Sequence, residues 1–134
     1  RYIIIGDGDQ DNNYAFESLG SAIRRCRNDF GAEIHMDGVS AIQPEKQGGA
    51  CKAHYARGTV RYQNGTRGEI LYPKSSYTDT NESYDIKQYK LQHAEFPHES
   101  TGDQFFSESQ FESYRQLGKT VALAAFNEEP DFLP

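Results

Sequence analysis

The chain reads as an α/β protein, and three observations predict this. An unbroken apolar run, Tyr2-Ile3-Ile4-Ile5, breaks into the polar loop Gly6 to Asn13. A helical stripe of apolar residues follows. An alternating segment from Ala32 to Asp37 comes next. Strand, loop, helix and strand in that order are the grammar of an α/β sheet.

Each element has its own local cause. Tyr2 to Ile5 is apolar at every position, the mark of a strand buried on both faces. The helix is expected from about Tyr14 to Phe30, because Phe16, Leu19, Ile23, Cys26 and Phe30 recur at offsets of 3, 4, 3 and 4. Asn12 or Asn13 is placed to cap it, and Glu17 suits its first turn. Arg24, Arg25 and Arg27 lie toward its end, where the helix dipole favours cations, and Gly31 stops it. In Ala32 to Asp37, Ile34 and Met36 share one face and Glu33 and His35 the other, which predicts a second strand. Gly38 to Lys52 reads as an exposed loop. Two strands, His54 to Tyr62 and Gly68 to Tyr72, are joined by Gln63-Asn64-Gly65-Thr66, and Asn-Gly is a strong hairpin signal. Pro73 to Ser83 is a polar loop, Ser83 to Gln92 a short helix, and His93 to Gly102 an irregular stretch. A long helix from about Asp103 to Phe126 carries Phe111, Tyr114, Leu117, Val121 and Ala125 on one stripe. There is no internal repeat and no linker, so residues 1–126 form one unit. Residues 127–134, acidic and with two prolines, are expected to fray.

Composition narrows the function classes. The chain has 134 residues, enough for one domain with a core. Mean hydropathy is low, at −0.83, but nine Tyr and eight Phe argue against disorder. The net charge of −6, with basic residues scattered outside the Arg24 to Arg27 cluster, argues against nucleic acid as a partner. No apolar stretch approaches the ~18 residues of a membrane span. The first residues read as a strand and not as a basic leader, so no signal peptide is expected. An N-terminus inside a central strand predicts that the chain is the C-terminal part of something longer. Cys26 falls on the apolar face of the helix, which predicts a buried free thiol. Whether it pairs with Cys51 is not fixed by the spacing. The triplets Asn64-Gly65-Thr66 and Asn81-Glu82-Ser83 match the glycosylation sequon and carry no weight without a secretory context.

The candidate chemistry concentrates after the first strand. Asp7, Asp9 and Asp11 reproduce positions 1, 3 and 5 of an EF-hand loop. Position 6 needs Gly and has Asn12, position 12 needs Glu and has Ser18, and a strand precedes the loop where a helix belongs. The three aspartates remain candidates for a loosely held cation only. A dinucleotide loop would need Gly at position 11, which is Asp11, and three carboxylates would repel a pyrophosphate. No Gly-x-Ser-x-Gly elbow exists: Gly38-Val39-Ser40-Ala41-Ile42 lacks the second Gly. His35, His54, His93 and His98 sit in different elements. Each reads as a surface or hydrogen-bonded core residue, no Cys/His spacing suits zinc, and no cofactor is implied.

The C-terminal run PHESTGDQFFSESQFESYRQLG, Pro97 to Gly118, resembles the closing segment of a group of bacterial patatin-like phospholipases. Earlier pieces resemble the same group in the same order. Arg1 to Gly8 is similar to its strand and Asp-containing turn. Phe16-Glu17-Ser18-Leu19-Gly20-Ser21-Ala22-Ile23-Arg24 is similar to its Phe-Glu-(Asp/Asn)-Leu-Gly-Asn-Ala-Ile-Arg helix. Gly58 to Tyr62 and Glu69 to Lys74 are similar to its late hairpin. The likeness covers nearly the whole chain.

The resemblance implies the C-terminal portion of a three-layer α/β/α fold. It also implies a lipid acyl hydrolase with a Ser-Asp dyad, its serine in Gly-x-Ser-x-Gly and its aspartate in Asp-Gly-Gly or Asp-Gly-Ala. This chain has neither the elbow nor the Gly-rich oxyanion loop. Asp7-Gly8-Asp9 departs from the aspartate motif at its third residue, and in this group that motif lies further upstream. Asp7 is therefore the one catalytic candidate, and the turn after the following strand is its preferred reading. The chain is then expected to be a structural portion, inactive alone, with the Pro73 to Ser83 and His93 to Gly102 loops shaping an acyl pocket. Its partner would be the upstream part of the same protein or a separate chain, in a cytoplasmic or membrane-peripheral parent. The alternative is a non-enzymatic module of the same ancestry that binds copies of itself. An open Ile-rich edge predicts association in either case.

Overall fold

A hairpin forms the middle of the sheet. In the computed structural model, which describes residues 1–133, β3 (Tyr55–Arg61) and β4 (Arg67–Pro73) pair antiparallel from Tyr55 opposite Pro73 to Arg61 opposite Arg67. The Asn64-Gly65 turn closes it, with Gly65 at φ 80° and the Tyr62 N–H donating to Thr66 O at 3.0 Å. β2 (Glu33–Asp37) lies antiparallel against β3, and β1 (Tyr2–Ile4) lies parallel against β4. The order is β1-β4-β3-β2, a mixed sheet of four strands. The strand-helix-strand reading holds, but its two strands are not neighbours. They form opposite edges, with the hairpin between them.

Helices cover both faces. α1 (Glu17–Phe30) packs Leu19, with half-buried Ile23 and Cys26, onto Val60, Ile70 and Tyr72. On the other face Leu71 meets Ala125 and Phe132. Ala125 belongs to α3 (Glu108–Glu128), which also packs on α2 (Tyr84–Gln92). Tyr77, Ile86, Tyr89, Phe96, Leu117 and Val121 fill the space between. Phe96 is the centre of that cluster, edge-on to Tyr89 and Tyr114 at ring distances of 5.2 and 4.9 Å. No helix among the described residues is long and apolar enough to cross a membrane.

Several expectations are corrected. β1 is not buried on both faces: as the edge strand it leaves Tyr2, Ile4 and Ile5 exposed. α1 begins three residues late, and neither Asn12 nor Asn13 caps it. The Asp11 carboxylate does so from outside, accepting the Ala15 and Phe16 N–H groups at 2.9 and 3.1 Å. That grip bends Tyr14 and Phe16 into the left-handed region, at φ 49° and 52°. Gly31 does end the helix, at φ 58°, donating to Arg27 O. Phe30, the last residue before that turn, is exposed, so the stripe is one residue shorter than its pattern. α3 starts at its Ser107 cap rather than at Asp103, and Phe111 faces outward while Gln110 and Ser113 are buried. Cys26 is only half-buried. The buried thiol is Cys51, and both are free.

The supposed loops also fold inward. Val39–Ile42 forms a 3-10 turn whose Ile42 is wholly buried. Lys74, Ser76, Thr78 and Glu82 are buried in what reads as a polar loop. The tail does not fray. Pro130–Phe132 makes another 3-10 turn, and Phe132 is buried against Leu71 with Tyr2 edge-on at 5.1 Å. Pro134 lies outside the described residues.

Candidate functional site

The carboxyl end of β1 carries the chemistry, because the β1-β4 pairing continues past the strand. Asp7 donates its N–H to Pro73 O at 2.9 Å, and Ser75 donates to Asp7 O at 3.0 Å. This register sets Asp7 beside Lys74. Lys74 is 1% exposed, and its Nζ donates to Asp7 Oδ2 at 2.9 Å. Asp11 Oδ2 lies 3.7 Å from the same ammonium, and the Phe16 ring lies under it at 5.6 Å. Tyr72 donates its hydroxyl to Asp7 Oδ2 as well. The Asp9 N–H completes the ring of donors, reaching Asp7 Oδ1 at 2.9 Å.

The electrostatics follow from these contacts. Burial raises the Asp7 pKa, but the bonds from Tyr72, Lys74 and the Asp9 amide, with the Lys74 charge, outweigh it and hold the carboxyl below its ordinary value. Burial and then the Asp7 bond push Tyr72 up, so its phenol keeps its proton. An acid held this low is a poor general base, and a phenol held this high is a poor proton donor. Beside the cluster opens a polar cleft of about 270 Å³ lined by Asp9, Glu17 and Ser18. There the Ser18 hydroxyl donates to Asp9 Oδ2 at 2.5 Å.

The three aspartates thus meet a cation, but it is the protein's own. Lys74 stands between Asp7 and Asp11, where a shared metal ion would otherwise sit. Asp9 turns away to Ser18. Among the described residues no three His, Cys, Asp or Glu side chains are gathered to hold a metal.

The histidines separate. His35 and His93 are surface groups paired with Asp37 and Glu99 at 3.2 and 3.3 Å. His54 is buried, with Nδ1 2.9 Å from Ser76 O and Nε2 3.3 Å from Thr78 Oγ1 and 3.6 Å from Glu82 Oε1. Glu82, buried too, accepts the Thr78 N–H at 2.8 Å. Ser76 Oγ lies 3.5 Å from His54 Nδ1, but it is closed to solvent and donates to Ala53 O at 3.0 Å. This Ser-His-Glu grouping pins the 74–82 segment to β3 and offers no hydroxyl to a substrate. His98 is buried against Tyr14 with Nδ1 3.4 Å from Asp9 O and Nε2 without a partner. Burial, then the nearby Lys74 charge, lowers its pKa.

Sequence reasoning missed Lys74 and Tyr72. The signal was there: both close the apolar run Ile70-Leu71-Tyr72-Pro73-Lys74, and a parallel pairing of that run with Tyr2 to Ile5 carries Lys74 to Asp7. What was missing was the pairing itself. Compared with known protein families, with curated proteins and with solved structures, the chain finds no match in any of the three.

Proposed function

We propose that this chain is the structural C-terminal portion of a patatin-like lipid acyl hydrolase, inactive by itself. It supplies sheet and helices to one side of the active domain, and the Gly-x-Ser-x-Gly serine and the dyad aspartate come from a polypeptide outside these 134 residues. The observation that carries this reading is the state of Asp7. It occupies the carboxyl edge of a parallel strand, where α/β sheets keep their reactive groups, yet Tyr72 and Lys74 claim its reactive oxygen. An aspartate held in this way is a clamp between β1 and β4. The sequence likeness from Arg1 to Gly118 supports this reading, and the clamp accounts for an Asp7 that adds no second acid.

Native and denaturing mass spectrometry on the protein as isolated from its source tests this directly. The expected result is a longer precursor, or a second polypeptide, that carries Gly-x-Ser-x-Gly and reacts with a fluorophosphonate probe. A species made of the 15.2 kDa chain alone, single or in copies, refutes the hydrolase reading and leaves the self-associating module. A second check is that the isolated chain releases no fatty acid from phospholipid vesicles, and that Asp7→Asn leaves the activity of the whole assembly within about twofold.

A further inference from the structure

Among the described residues two buried side-chain polar atoms have no hydrogen-bond partner, Asn12 Oδ1 and His98 Nε2. An unpaired buried polar atom costs stability, and folded proteins leave few of them. Here both belong to residues that line one cavity. It holds about 340 Å³, with Asn12 and Tyr14 on one side and the Lys90 to His98 segment on the other. That size falls within the ~300–1,000 Å³ of small-molecule sites.

Both atoms are acceptors. His98 is 3% exposed, and its Nδ1 lies 3.4 Å from Asp9 O. A carbonyl oxygen only accepts, so Nδ1 carries the ring hydrogen and Nε2 keeps a lone pair. Burial lowers the His98 pKa, which keeps the ring neutral. Asn12 Oδ1 is an amide oxygen and can only accept. An occupant that answers both must therefore donate twice. Both atoms are shielded from bulk water, so the occupant reaches them by displacing the half-buried Asn12 and Tyr14 side chains.

Charge narrows the class. Lys90 also lines the cavity, and its ammonium donates to Ala94 O and Phe96 O at 2.9 and 2.5 Å. A third N–H remains. A metal ion or an amine would meet this positive charge. A phosphate or carboxylate would accept from Lys90 but has no hydrogen for either orphan, and Glu95 in the same lining repels it. A neutral hydroxyl does both, donating to an acceptor and accepting from the ammonium. Tyr14 and Phe96 add aromatic wall for a carbon skeleton, with Tyr14 edge-on to the His98 ring at 4.7 Å.

We propose that this cavity binds a free neutral polyol of monosaccharide size, whose hydroxyls donate to His98 Nε2 and Asn12 Oδ1 and accept from Lys90. The site uses no residue of the Asp7–Lys74 clamp and stands apart from the hydrolase reading.

Saturation-transfer NMR with glucose, galactose and myo-inositol tests the site, with glucuronate and glucosamine as charged counterparts. At least one neutral probe is expected to bind with a Kd of ~1 mM or tighter, and the charged sugars about tenfold or more weakly. Nitrogen NMR of the histidine rings gives a second readout: binding should shift His98 Nε2 and leave surface His35 in place. Asn12→Leu keeps the side chain's shape and removes one acceptor, so it is expected to weaken binding about tenfold or more in a folded protein. His98→Phe removes the other acceptor and serves if Asn12→Leu fails to fold. No saturable binding of any neutral probe up to ~10 mM means that water alone fills the cavity, and overturns the proposal. Binding that leaves His98 Nε2 unmoved, or that survives unchanged in a folded variant, overturns it as well. Tighter binding of a charged sugar overturns the assigned class.

Discussion

Lys74→Met is the substitution that best tests the reading of the aspartate turn. The ammonium is 1% exposed and faces two carboxylates at 2.9 and 3.7 Å, which are themselves only 10% and 12% exposed. At an effective dielectric of ~20 the nearer attraction is about 6 kcal/mol before desolvation is counted. Methionine keeps most of the buried stem, so the loss is mainly of charge and hydrogen bonds. Removing one partner from a buried pair costs ~3–5 kcal/mol. Asp7 keeps Tyr72 and the Asp9 amide, and both carboxylates retain some water, so about 3 kcal/mol is expected at pH 7. That is roughly a hundredfold in the folding equilibrium. The pH dependence carries the sharper test. In the native protein the folded pKa of Asp7 lies below its unfolded value. Its stabilising contribution is complete above the unfolded pKa of ~3.9 and is lost as pH falls through the folded value. Without Lys74, burial is less well opposed and the folded pKa rises. The penalty of Lys74→Met therefore shrinks as the Asp7 carboxyl takes up its proton. Urea unfolding of both proteins at pH 7 and near pH 4 measures it. A penalty under about 1 kcal/mol at pH 7, or one that does not change with pH, would refute the clamp.

The remaining predictions follow the same contacts. His98→Gln should flatten the stability profile between pH ~7 and ~5. The folded pKa of His98 is depressed, so the unfolded chain binds its proton first, and stability falls as pH drops through ~6.5; an unchanged profile by urea titration removes His98 as the cause. Phe96→Ala empties the centre of the aromatic cluster between α2 and α3 and should cost ~3–5 kcal/mol, read as a lowered melting temperature by circular dichroism. Gly31→Ala should cost ~1–2 kcal/mol, because the position is left-handed and its new methyl meets the Gln63 side chain. The double variant Gly31→Ala/Gln63→Ala should recover the part due to that clash.

Periodicity made the elements legible, and chain reversals made their joints hard to read. The alternation of β2 and the Asn64-Gly65 turn depend on neighbours within a few residues and are found where the pattern put them, and the α1 stripe holds at Leu19, Ile23 and Cys26 but not at Phe30. The late start of α1 was invisible because Asp11, outside the helix, replaces the expected Asn cap through contacts to Ala15 and Phe16. The burial of Lys74, Ser76, Thr78 and Glu82 was also invisible. Polar residues read as loop until their partners are known, and here those partners are Asp7 and His54, distant in sequence. The aspartate triplet shows both limits. Its place at the mouth of a parallel strand could be read from the chain, but the lysine that answers it could not.

The bond between Asp7 and Lys74 spans 67 residues. Closing a loop of that size costs about 3.7 kcal/mol in chain entropy on the length-dependent term alone, against about 1.6 kcal/mol for the short β3-β4 turn. The hairpin and the α2-α3 pair close shorter loops, which predicts that they form a platform before β1 arrives. On this prediction docking of β1 is the late event, and the aspartate turn is a latch thrown after the rest is built. Substitutions in the latch should accelerate unfolding and leave the refolding rate nearly untouched, while substitutions in the hairpin should slow refolding. Stopped-flow chevrons of Lys74→Met and Val60→Ala would separate the two. Equal slowing of refolding by both would show that β1 is part of the nucleus.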